Sequence, residues 1–170
     1  MIFISTGGFF DNTAYETCNY LYKSGIRDFE LSGGKPSNNY LNEFKNFKND
    51  ASFCVHNYFP PPEIPFVLNL ASRDEFIYNK SKEHIFKAIN LSSDLNSKYY
   101  SFHAGFLLDP RVEELGKKVV VKELFPRKES LYLFIERLNL IADYAFNKNV
   151  EILIENNVIS KNNFLRFKNN

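Results

Sequence analysis

At 170 residues the chain is long enough to bury a sizeable core, and with 44% hydrophobic and 24% charged residues its composition is that of an ordinary water-soluble globular protein. A formal net charge of +1 gives no electrostatic reason to expect a polyanionic partner such as a nucleic acid. No apolar run is long enough to cross a bilayer, and the amino-terminal stretch lacks a basic region and a long apolar segment, so a cytoplasmic protein is expected.

In chain order, Ile2–Ser5 reads as a short strand closed by Thr6-Gly7-Gly8. Asp11, Asn12 and Thr13 offer caps for a helix to about Ser24, with Gly25 as its stop. Phe29–Ser32 is a second strand, and Asn38 or Asn39 opens a helix with Tyr40, Leu41, Phe44 and Phe47 on one face. Ser52–Tyr58 is a third strand, followed by a stiff Pro60-Pro61-Pro62 connector and the apolar run Phe66–Leu70. Lys80 to about Leu95 is helical by pattern, with Ser81 as cap and His84 on the surface.

Tyr99–His103 is a fourth strand, ending in Ala104-Gly105. The loop Phe106–Lys118 is long enough to carry a lid, or a short hairpin with Val119–Val121. A helix over roughly Lys128–Lys148 turns Leu131, Phe134, Ile135, Leu138, Ile141, Ala142 and Ala145 inward. Val150–Ile154 is a fifth strand, and Ser160 caps a further helix carrying Phe164 and Leu165. Cys18 and Cys54 fall in a helix and a strand and read as free thiols rather than a disulfide.

Strand alternating with helix, with short and nearly continuous apolar strands, means parallel β/α units. Two architectures fit: a barrel, or an open doubly wound sheet of the flavodoxin type. The turn after the first strand matches neither the dinucleotide fingerprint nor a phosphate-binding loop, which weakens the open nucleotide-binding option.

In either architecture the ligand face lies at the carboxyl ends of the strands. Two of the three histidines, His56 and His103, stand at that face, as does Glu155. Two imidazoles and a carboxylate make a nitrogen/oxygen site suited to a divalent transition metal, or else each side chain simply hydrogen-bonds to a loop; spacing alone leaves both readings open. Asn57 and Asn156, each beside a candidate ligand, are the candidate substrate-binding residues. Phe59, Phe66 and Phe106 either pack on a sugar ring or cover the rim of the sheet.

His56-Asn57-Tyr58 followed by Asn69-Leu70-Ala71-Ser72 resembles the third-strand region of endonuclease IV-like barrels. Ser81–Ile89 resembles the helix that follows there, Phe102-His103-Ala104-Gly105 their fourth strand end and Ile152-Leu153-Ile154-Glu155-Asn156 their fifth. The order and separations agree from Ile2 to about Leu165, and the wider xylose isomerase-like superfamily also holds sugar isomerases and epimerases. The resemblance implies an α/β fold, a (β/α)8 TIM barrel of which residues 1–170 form a single incomplete domain of about five β/α units. It implies His56, His103 and Glu155 as ligands of a divalent metal (Mn²⁺, Zn²⁺ or Mg²⁺), Glu155 as the catalytic carboxylate, and a small sugar or sugar-phosphate substrate.

Three departures qualify it. Ala104 stands where the endonucleases usually have proline, and the turn Ser32–Asn39 offers only Lys35 to a phosphate, so a phosphodiesterase acting on nucleic acid is the less supported alternative. A full barrel needs about 250 residues, and the family's remaining Asp, His and Glu ligands come from strands six to eight. A truncated chain, inactive by itself and weak in metal binding, is therefore expected. The alternative is a non-catalytic fragment or half of a two-chain assembly, self-associating through its open strand edges.

Overall fold

A computed structural model describes residues 2–47, 50–117, 119, 123–157 and 159–168. Five strands, β1 (Ile4–Ser5), β2 (Asp28–Leu31), β3 (Ser52–His56), β4 (Tyr99–His103) and β5 (Glu151–Glu155), form one parallel sheet in the order β1-β2-β3-β4-β5. A flavodoxin-like sheet would place β1 between β2 and β3. Each strand here lies beside its successor instead, which is how a β/α barrel wall is built. The fold is a partial barrel.

The helices form where capping and apolar spacing favour them. Helix α1 (Ala14–Lys23) opens on a capping box in which Thr13 Oγ1 accepts from Glu16 N and the Glu16 carboxylate accepts from Thr13 N, at 3.2 and 2.7 Å. It stops at Gly25, whose φ of 90° lies in the left-handed region. Helix α2 (Tyr40–Phe44) continues as a 3₁₀ turn over Lys45–Phe47 and buries Phe44 and Phe47, whereas Leu41 is exposed, contrary to the expected face.

Helix α3 (Glu75–Asp94) begins a turn earlier than its apolar pattern indicates. Its cap is Asp74, whose Oδ1 accepts from Phe76 N and Ile77 N; Ser81 lies inside the helix and its hydroxyl donates to Ile77 O. His84 is buried at 6% exposure, not on the surface, because α3 turns it toward the loop that follows β3.

Helix α4 (Arg127–Phe146) also departs from expectation. Ile141 and Ala145 are buried, and Phe134 and Leu138 pack on the core, but Leu131, Ile135 and Ala142 are exposed while Arg137 is buried. Arg137 lies over the Tyr78 ring, 3.8 Å from its centroid, donates to the carbonyls of Leu70 and Ser72 and pairs with Glu75 Oε1 at 3.4 Å, so its charge is solvated by protein groups rather than by water alone. Ser160 caps α5 (Lys161–Phe167) as expected. The hairpin expected at Val119–Val121 lies largely outside the described residues.

The core fills the space between the sheet and its helices. Phe29, Leu31, Val55, Tyr100 and Phe102 are fully buried on that side against Cys18, Phe44, Phe47, Ile85, Ile89 and Ile141. Phe29, Phe44, Phe47 and Phe53 pack ring on ring, so these aromatics are structural. Phe59 joins them, fully buried against Tyr40 and Phe44. Both cysteines are free; burial pushes the Cys18 thiol up to about 12. No helix among the described residues is long and apolar enough to cross a membrane.

Candidate metal centre

Strand alternation decides which side chains meet on the other face of the sheet. Val55 and Phe102 point into the helix-facing core, so His56, Ser101 and His103 point the opposite way, toward the barrel interior. In the ladder His56 pairs with Ser101, and His103 pairs with Glu155. The three expected ligands thereby converge, with one nitrogen or oxygen from each lying within 4.8 Å of the others. The imidazoles stand perpendicular, ring centres 5.5 Å apart.

The surroundings differ for each. His56 Nδ1 lies 2.8 Å from Ser101 Oγ and 3.4 Å from Glu155 Oε1. The His103 Nδ1 is buried and has no hydrogen-bond partner among the described residues, an arrangement that is costly unless something binds there. Glu155 is about half exposed at the mouth.

This donor set fits a divalent metal. A tetrahedral ion with bonds near 2.1 Å takes ligand atoms about 3.4 Å apart, and the three here lie within 4.8 Å of one another. No other group of three potential ligands with this spacing occurs among the described residues.

Beside the triad lies a small cavity of about 210 Å³ whose lining includes Asn57, Tyr58, His103, Phe106 and Asn157. Asn57 adopts a left-handed backbone (φ 45°), its N–H donating to Ser101 O at 2.7 Å. Its carbonyl accepts from Tyr100 Oη at 3.0 Å and from His84 Nε2 at 3.2 Å. Asn156 is exposed at the end of β5. Its neighbour Asn157 turns inward instead, its amide donating to Ala104 O and Gly105 O. Larger cavities, such as one of about 500 Å³ between Pro60–Glu63 and α3, lie away from the triad.

Two supports escaped the sequence reading. One is Ser101, whose only signal is its spacing two residues before His103 on the same strand face. The other is Asn69, fully buried, whose side chain ties the Asn69–Ser72 segment to the loop after β4. Its Nδ2 donates to Leu108 O and Asp109 Oδ1 at 3.1 and 2.8 Å, and its Oδ1 accepts from Ala71 N and Phe106 N at 3.1 and 3.0 Å. Ala104 uses its N–H to extend the β4–β5 ladder to Glu155 O, at 2.9 Å.

The model of the family described as xylose isomerase-like TIM barrel matches residues 18–164. The chain belongs to that family. Solved structures agree on the fold. An L-ribulose 3-epimerase superposes with a TM-score of 0.64 at 17% identity, over 90% of this chain and 48% of that one. The D-psicose 3-epimerase of Clostridium cellulolyticum H10, solved with D-tagatose, gives 0.62 at 14% identity, over 90% and 49%. A xylose isomerase-like TIM barrel protein of Mycobacterium smegmatis in complex with magnesium gives 0.58 at 12% identity, over 90% and 54%. Identities this low speak for the fold alone. The chain spans about half the length of these solved structures. No curated protein matches it by sequence.

Proposed function

We propose that the chain is the metal-binding portion of a sugar or sugar-phosphate isomerase or epimerase, a single incomplete barrel domain in which His56, His103 and Glu155 hold Mn²⁺, Zn²⁺ or Mg²⁺. The observation that carries this reading is the convergence of two imidazole nitrogens and a carboxylate oxygen within 4.8 Å at the carboxyl ends of adjacent strands. A divalent ion held there would polarise a sugar's carbonyl and neighbouring hydroxyl oxygens and so acidify the C–H of the hydroxyl-bearing carbon beside the carbonyl. Glu155, half exposed at the mouth, is the carboxylate to which we assign the removal of that proton. Asn57 and Asn156 flank the ligands and would orient sugar hydroxyls, and a second acid/base group would come from the strands that close the barrel.

Three ligands on an open sheet are poorly preorganised, so binding by this chain is expected to be weak. Titration with Mn²⁺ or Zn²⁺, followed by calorimetry, should show one saturable site per chain that His103→Ala removes. Saturable binding unchanged in His103→Ala, or no saturable binding at all, would sink the proposal.

A second reading is supported by β5, which among the described residues pairs only with β4 and leaves Leu153 and Ile154 about 44% and 43% exposed. An edge strand apolar on both faces invites pairing, so the chain would self-associate or take up a partner's strand. Light scattering on the purified chain tests it: mass above that of one chain, lowered by Ile154→Lys, is expected. A monomer across the micromolar range would exclude self-association.

A further inference from the structure

We infer that Ser101 is a positioning residue of this centre, holding the His56 imidazole with its proton on Nδ1 so that the Nε2 lone pair remains for a cation. The inference rests on the metal reading of the triad and adds a residue to it.

Position 101 lies in the middle of β4, with β3 on one side and β5 on the other, its side chain facing the barrel interior. Barrel interiors are ordinarily packed with branched apolar residues. A hydroxyl only 4% exposed at such a place needs a partner, and the partner is His56 Nδ1 at 2.8 Å.

Which atom carries the hydrogen follows from the third group. The same Nδ1 lies 3.4 Å from Glu155 Oε1. If the serine hydroxyl donated to a bare Nδ1, the nitrogen lone pair would also face a carboxylate oxygen, two electron-rich atoms in opposition. If Nδ1 carries the hydrogen, two acceptors lie within reach, the nearer being Ser101 Oγ. The carboxylate thus disfavours a bare Nδ1, and the shorter bond to Ser101 Oγ is what holds the hydrogen on Nδ1 and fixes the ring's orientation. The ring's other nitrogen, Nε2, is then unprotonated, as a metal ligand requires.

The support is rigid. Ser101 is held in two parallel ladders, and its carbonyl accepts from Asn57 N at 2.7 Å, so the residue that orients His56 also anchors the turn that follows it. Losing a partner of this kind typically weakens metal binding by roughly 10–100-fold.

The experiment uses the full chain, ¹⁵N-labelled and metal-free near pH 8, where a free imidazole is mostly neutral. Long-range ¹H–¹⁵N spectra report the tautomer of each histidine, and His84→Gln helps assign the three sets of signals. Wild type should show His56 as Nδ1–H. Ser101→Ala should raise the Nε2–H form to a comparable share and weaken Zn²⁺ binding at least tenfold, while Ser101→Thr, which keeps the hydroxyl, should preserve both properties. A wild-type His56 in the Nε2–H form overturns the inference. So does Ser101→Ala with unchanged tautomer and affinity while wild type binds Zn²⁺. A wild type that binds neither Zn²⁺ nor Mn²⁺ overturns the metal reading instead, and the tautomer comparison then judges the positioning of His56 by itself.

Discussion

The Nε2 of His84 lies 3.2 Å from the carbonyl oxygen of Asn57, the residue that follows His56. A carbonyl accepts only, so Nε2 must carry hydrogen, and the ring is wedged between Tyr58 and Phe66 at centroid distances of 5.9 and 5.6 Å. A helix residue thus buttresses the turn behind the candidate metal centre from outside the sheet.

This relationship carries a pH dependence. Burial pushes the His84 pKa below the ordinary 6.5, its bond to Asn57 opposing that only in part. The unfolded chain then binds a proton that the folded chain resists, so stability is retained above about 6.5 and falls as pH drops from there toward the lowered folded value. Urea unfolding at several pH values between 8 and 5 should show this decline, and His84→Gln, which keeps an N–H donor but cannot titrate, should flatten it. Equal slopes in the two proteins would refute the assignment.

Tyr100→Phe removes a single hydroxyl from a fully buried ring, the one that donates to the same Asn57 carbonyl at 3.0 Å. With His84 still donating, the loss should be about 1 kcal/mol. Combined with His84→Leu, it strips both of these donors from the carbonyl, and the double variant should lose more than the sum of the singles. Additive losses in a denaturation cycle would mean that the two donors do not share this acceptor.

Asn69 is where a conservative-looking change should do most harm. Asn69→Leu keeps the volume but leaves the Ala71 and Phe106 amides without their side-chain acceptor. A loss of roughly 2–4 kcal/mol is expected. Gly105→Ala acts on the same contact, since a Cβ there would run into the Asn69 amide oxygen, and should cost about 1–3 kcal/mol. Thermal melts would check both, and wild-type stability in either variant would remove the hub from consideration.

Ala104→Pro should weaken this chain. It deletes the N–H that donates to Glu155 O at 2.9 Å, and proline within a ladder is disfavoured. A fall of about 1–2 kcal/mol in stability is expected, together with weaker Zn²⁺ binding, because the strand end that carries Glu155 is released. Unchanged affinity would show that the ladder bond does not position the carboxylate.

Local chemistry settled much of this protein. Apolar runs alternating with helical periods mark β/α units, and His56, His103 and Glu155 could be placed at strand ends because a strand's end is signalled by the polar and glycine residues after it. Asp74 shows the limit of such reading: the helix start was obscured because the apolar period begins later than the cap.

Only the tertiary structure decided how the strands are ordered, since the alternation suits a flavodoxin-like sheet as well as a barrel. It also decided which part of α4 is covered. Periodicity shows that the helix has an apolar face, but exposed Leu131 and Ile135, against buried Arg137, depend on what packs beside it. The supports of the centre were hidden for the same reason. Ser101 meets His56 across 45 residues, Asn57 meets His84 across 27 and Asn69 meets Phe106 across 37. Hydrogen bonds between such distant positions leave no local period or motif, and they exist only once the sheet has brought their strands and loops together.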